Sequence, residues 1–148
     1  MTEQTPTWPE REPSYRLRPP ATDLSAGLDG LAAALDATPR QPETATVKLR
    51  IGRQTDVIGP RREALEALSG YPDVTVDAGT TAGTVPLTGE TFDALAELFE
   101  DVERALVRDA DGVAVAEWRD ERLRFALPSD AVSRVRAAVD AERIEQVE

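Results

Sequence analysis

The chain reads as an α+β domain, and three observations predict it. Residues 46–51 alternate strictly, with Val47, Leu49 and Ile51 in phase, which is the period of a half-buried strand. Phe92, Leu95, Phe99, Val102 and Leu106 recur at spacings of three and four, which is the period of a helix. Two strand-like runs, residues 113–118 and 122–127, face each other across Arg119, Asp120 and Glu121 as a hairpin, with Leu123, Phe125 and Leu127 turned inward.

The elements follow in order. Residues 1–21 hold five prolines among charges without a hydrophobic period, so an extended or disordered arm is expected. Its aromatics, Trp8 and Tyr15, with Arg11, Arg16 and Arg18, suit stacking on bases or anchoring on a partner, against a loosely packed tail. Residues 22–38 predict an amphipathic helix with Leu24, Leu28, Leu31 and Leu35 on one face, Thr22 or Asp23 as N-cap and Pro39 closing it. Gly27 and Gly30 weaken that helix. Residues 39–45 form a linker of turn formers, and a compact core spans 46–107. Within it, Gly59 and Pro60 open a short helix carrying Leu65 and Leu68. A strand is expected at 74–77, a flexible AGTTAG loop at 78–83 and a strand at 84–87. Thr88 then caps the long helix that runs through Leu106. Residues 108–148 supply a turn at 109–112, the hairpin, and a last helix capped by Ser129 with Val132, Val135, Val139 and Ile144, packed on the core.

Length allows one domain with extensions. The chain has no cysteine and no histidine. Disulfides, thiolate metal sites and thiol nucleophiles are excluded, and so is the usual general base near neutral pH. Asp109, Asp111 and Gly112 resemble part of a calcium loop, but Val107 and Trp118 occupy two ligand positions, so a turn is expected instead. Residues 79–83 lack the Gly-Lys-Ser/Thr ending of a phosphate loop. Acids on the 88–106 helix form a solvated face, with no paired carboxylates to nominate. No catalytic residue, metal site or cofactor is expected, and the protein reads as a non-enzyme. No apolar stretch is long enough to span a membrane, and the first twenty residues lack a signal-peptide core, which predicts a cytoplasmic protein without membrane partners.

Formal net charge is -11, with 28 acidic and 17 basic residues, and Lys48 is the only lysine. Acid enrichment with arginine carrying the positive charge resembles proteins of salt-accumulating halophiles, in which acidity is background and a local basic cluster is the informative signal. Such a cluster lies between residues 47 and 62: Lys48, Arg50, Arg53, Arg61 and Arg62, the last two at a helix start, where phosphate can be held.

Ile58, Gly59, Pro60, Arg61, Arg62 and the following Leu65 and Leu68 fall on the Ile-Gly-x-x-Gly-x-x-Ile-x-x-Ile signature of the type I K-homology (KH) domain, with Arg62 in place of the second glycine. Over residues 46–107 the expected order of strand, helix, strand, strand, helix also resembles that family. The resemblance implies a KH-like core followed by a β-hairpin and helix, and single-stranded RNA binding without catalysis. Gly59, Pro60, Arg61 and Arg62 would meet phosphates, Ile58, Leu65, Val74 and Val76 would line a groove for bases, and Lys48, Arg50 and Arg53 would extend the basic rim. The Cβ of Arg62 obstructs close backbone approach, so either its guanidinium replaces the glycine contact or the clamp is lost. The alternative function is a protein-interaction or assembly module, with the 22–38 helix, Trp118 and the C-terminal helix as contact surface.

Overall fold

A computed structural model describes residues 6–19, 25–51, 57–77, 79–139 and 143–147. Its strands join in one eight-stranded antiparallel sheet: β1 (Ser14–Leu17), β2 (Pro42–Leu49), β3 (Thr75–Asp77), β4 (Thr80–Pro86), β5 (Val102–Asp109), β6 (Ala114–Arg119), β7 (Arg122–Ala126) and β8 (Ile144–Val147). Across the sheet the order is β3-β4-β2-β5-β6-β7-β1-β8. Four helices accompany it: α1 (Ser25–Ala37), α2 (Pro60–Ser69), α3 (Gly89–Glu97) and α4 (Val132–Ala138). The mixed α+β class is therefore as expected. Among the described residues no helix is long and apolar enough to cross a membrane.

Register decides which face is core. Tyr15, Phe125, Ala116, Val107, Ala45 and Val85 lie opposite one another on successive strands, and so do Leu17, Leu123, Trp118, Ala105 and Val47. These residues share one face. They are buried in one cluster with Leu31 and Ala34 of α1, Leu65 and Leu68 of α2, Leu95 of α3 and Val135 of α4. On that face α2 packs with α3, and α1 packs with α4, β6 and β7.

Several elements differ from the sequence-based expectation, each for a physical reason. The long helix ends at Glu97: Leu98 leaves helical geometry (φ -103°, ψ 10°), Phe99–Asp101 form a 3-10 turn, and β5 follows. Val102 and Leu106 matched the helical period by coincidence. Ala105, Leu106 and Val107 are buried in succession in an interior strand that has β2 on one side and β6 on the other. The AGTTAG segment is strand rather than loop over Thr80–Pro86, because it pairs with β2 on one side and β3 on the other. Thr81 is fully buried there and donates its hydroxyl to the Ile51 carbonyl at 2.6 Å. Gly83 permits this packing, since a Cβ on it would lie 2.4 Å from the Asp73 carbonyl oxygen.

The arm is also structured where it is described. β1 is an interior strand between β7 and β8, Leu17 is fully buried, and Tyr15 stacks on Phe125 at 5.6 Å. The supposed linker contributes the start of β2 at Pro42. The last helix stops at Ala138, and Ile144 belongs to β8, paired with Leu17. Ala131, not Ser129, occupies the N-cap of α4. Thr88 does cap α3: its hydroxyl accepts from the Thr91 N–H at 3.2 Å while Thr91 Oγ1 accepts from the Thr88 N–H at 2.8 Å. The caps expected at Thr22 or Asp23, and Leu24, lie outside the described residues.

Candidate functional site

The glycine-proline segment forms the entry to α2. Gly59 has φ +62° with open space where a Cβ would stand, so its conformation rather than crowding favours glycine. The chain turns into helix at once: the Arg62 and Glu63 N–H groups donate to the Gly59 carbonyl at 3.0 and 3.2 Å. Both arginines face carboxylates. Arg61 pairs with Asp101, and Arg62 pairs with Glu66 one turn on, at 3.5 Å. The apolar residues assigned to a groove divide into two sets. Leu65 (1% exposed) and Val74 (9%) are core, whereas Ile58 (83%) and Val76 (51%) are exposed, so the four do not line one surface groove. Leu65 is in the core because its helical phase with Leu68 turns it toward the sheet. Arg50, exposed just beyond β2, donates its N–H to the Asp101 carbonyl at 2.8 Å. Arg53 lies outside the described residues.

Lys48 belongs to a larger assembly on the sheet face opposite the helices. In register across four neighbouring strands stand Lys48, Arg104, Arg119 and Arg122. The adjacent row carries Thr46, Leu106, Glu117, Arg124, Arg16 and Glu145. Arg108, opposite Thr44, donates to the Thr46 hydroxyl at 3.1 Å. Seven cations, Arg16, Lys48, Arg104, Arg108, Arg119, Arg122 and Arg124, thus meet four carboxylates, Glu103, Glu117, Asp120 and Glu145, in a chain whose balance is strongly acidic. Like charges directly opposite in a sheet destabilise it.

Local pairing anchors part of this face, and of its seven cations Arg119 and Arg122 are the exposed ones. Arg104 is fixed by two contacts to Glu117, Nε at 2.9 Å and Nη2 at 2.8 Å, with both side chains largely buried. Lys48 reaches Glu103 at 3.4 Å, and Arg119 reaches Asp120 at 3.8 Å with half its side chain exposed. A depression of about 200 Å³ is lined by Arg16, Glu117, Arg119, Asp120, Arg122 and Arg124, and a second of about 70 Å³ by Lys48, Glu103, Arg104, Arg119 and Asp120. Burial lowers the pKa of Arg124 from its ordinary value; the attraction of Glu117 opposes that fall and the smaller repulsion of Arg16 adds to it. Arginine stays charged at neutral pH even so.

The arm crosses this same face. The Ala114 N–H donates to the Thr7 carbonyl at 2.8 Å, and the guanidinium carbon of Arg124 sits 4.2 Å from the centre of the Trp8 ring. Arg124 also donates to the Ser14 hydroxyl at 3.3 Å, while its buried Nε has no hydrogen-bond partner among the described residues. At the far end Arg40 joins Glu12 of the arm (3.3 Å) to Asp109 of β5 (3.1 Å). Burial alone would raise the Asp109 carboxyl. The N–H groups of Val113 and Asp111 and the Arg40 guanidinium outweigh it and hold the pKa below the ordinary range. Among the described residues no group of three or more acidic side chains is disposed to hold a metal ion.

Comparison of the chain with protein-family models, with curated proteins and with solved structures finds no match.

The arginine face escaped the sequence reading because β1, β2, β5, β6 and β7 bring its members from distant segments. One signal was legible: an inward Leu123 and Phe125 leave Arg122 and Arg124 outward on the same strand. Trp118, assigned to a partner surface, is 1% exposed beneath α1 and lies against Phe99 with ring centres 4.7 Å apart. It is core.

Proposed function

We propose that the protein binds single-stranded nucleic acid, RNA above all, without catalysis, through the arginine face of the sheet. The observation that carries this reading is the row Lys48, Arg104, Arg119 and Arg122, side by side on adjacent strands. Its three interstrand steps of about 4.8 Å span roughly 14 Å, long enough to follow two or three phosphates of a single strand. Lys48, Arg104 and Arg119 are each offset by one carboxylate, and the exposed Arg122 adds a further like charge to the row that a bound anion would offset. A sheet face also presents no helix or ribbon to enter a duplex groove, which favours a single strand. Lys48 is shared with the basic cluster first read from the sequence. Arg61 and Arg62 contribute less in this reading because they stand outside the row, although Arg119 too faces a carboxylate, Asp120, at 3.8 Å.

Fluorescence anisotropy of labelled single-stranded RNA over a salt series tests the proposal, with circular dichroism in each buffer to verify folding. The wild type should bind most tightly at low salt. Arg119→Glu with Arg122→Glu should weaken binding at least tenfold and reduce the slope of log affinity against log salt by about 1.4, the value for two lost contacts to a single strand. Arg61→Asp with Arg62→Asp should have a smaller effect. The opposite ranking would return the site to the KH-like loop, and a folded wild type without affinity at low salt would refute the reading. The interaction-module alternative is favoured by one feature, an open groove of about 370 Å³ between α1 and α3 lined by Leu35, Asp36, Leu87, Phe92 and Asp93 among others.

A further inference from the structure

Resting on that reading, we infer that Trp8 is a base-stacking residue of the arginine face, so that the ligand is recognised as a nucleobase-bearing strand and not merely as a polyanion. One face of the indole is taken by the Arg124 guanidinium at 4.2 Å, and the residue is mostly buried but keeps part of its surface accessible. A guanidinium holding one face of an aromatic ring fixes its orientation, and the part of the ring that stays accessible is where a second flat group would stack. Position favours a base there. Arg124 stands two residues from Arg122 on β7 and opposite Arg16 on β1, so cations flank the ring on two sides. Two residues along a strand lie about 6.8 Å apart, near the distance between a nucleobase and its own phosphate. Among the described residues, the other aromatic side chains contributed by strands, Tyr15, Trp118 and Phe125, are buried on the helix side, so Trp8 supplies this face with its ring. The arm is seated rather than loosely apposed: the Thr7 carbonyl accepts from Ala114 and the Pro13 carbonyl from Leu127, bracketing Trp8.

Only two tryptophans are present, and Trp118 is shielded in the core, so a change in emission on binding reports Trp8. Titration of the full chain with uridine and adenosine dodecamers, and separately with inorganic polyphosphate, should quench emission with the oligonucleotides and leave it unchanged with polyphosphate. Trp8→Ala should weaken oligonucleotide binding about tenfold or more while polyphosphate affinity stays within twofold, and Trp8→Phe should recover most of the loss. Circular dichroism and the retained polyphosphate affinity verify that each variant is folded. If Trp8→Ala binds the oligonucleotides as tightly as the wild type, or more tightly, stacking is refuted and the arm is a cover over the face; the arginine reading survives that result. If the folded wild type binds neither oligonucleotide nor polyphosphate, both proposals fall together.

Discussion

Gly27 shows at the scale of one residue how packing can reverse a propensity. In an isolated helix, alanine in its place would add about 1 kcal/mol. Here a Cβ would stand 2.3 Å from the Trp118 ring, and the indole is already confined by Phe99. Gly30 opposes Leu17 in the same manner at 2.4 Å, although a leucine methyl can yield more readily than a ring. Gly27→Ala should therefore destabilise the protein by about 2 kcal/mol, the usual scale of overpacking. The corresponding fall in Tm is about 4–8 °C for a domain of this size. Thermal unfolding followed by circular dichroism measures it, and a raised Tm would mean that α1 does not sit against Trp118. The leucine stripe of α1 was legible in the sequence, but the side that packs is Gly27, Gly30, Leu31, Ala34 and Ala37, with Leu28 and Leu35 only half-buried. Small residues carry no hydrophobic signal, and their value lies in the close approach they allow.

Among the elements, the β6–β7 hairpin was correctly located by alternation alone, and the register Arg119↔Arg122 places Asp120 and Glu121 at the centre of its turn. Both have positive φ, 53° and 62°, the geometry that matches the right-handed twist of the strands but is costly for residues with a Cβ. Glu121→Gly should relieve that cost and stabilise the chain by about 1 kcal/mol. A chemical denaturation midpoint that fails to rise would exclude strain at this turn. The turn at Asp109 is of the opposite kind: the carboxylate accepts from the Asp111 and Val113 N–H groups at 2.9 and 3.0 Å, and Gly112 takes the positive φ of 80°. Here residue type and geometry agree, which is why the sequence marked it so clearly. Helix α3 and strand β5 were fused in the sequence reading because periodicity describes local phase and carries no information on where a central strand must begin.

For the whole molecule, the decisive arrangement is the insertion of β1 between β7 and β8. A segment rich in proline and charge becomes an interior strand because neighbours on both sides satisfy its backbone, and because Leu17 and Tyr15 fill the helix-side core. Deleting residues 1–19 should therefore abolish cooperative thermal unfolding rather than trim a tail. Retention of a cooperative transition at the wild-type Tm would show that the sheet closes without the arm. The same insertion brings Arg16 beside Arg124 and carries Trp8 across the sheet. By itself the sequence determined the α+β class, the capped start of α3, the proline entry to α2, the hairpin and the local basic surplus around Lys48, all of which depend on neighbours a few residues apart. Only the tertiary structure decided that the arm is a strand, that Leu106 lies in a strand, and that arginines from separate segments share one face. Strand order and register arise from pairing between distant residues, and no local period encodes that pairing.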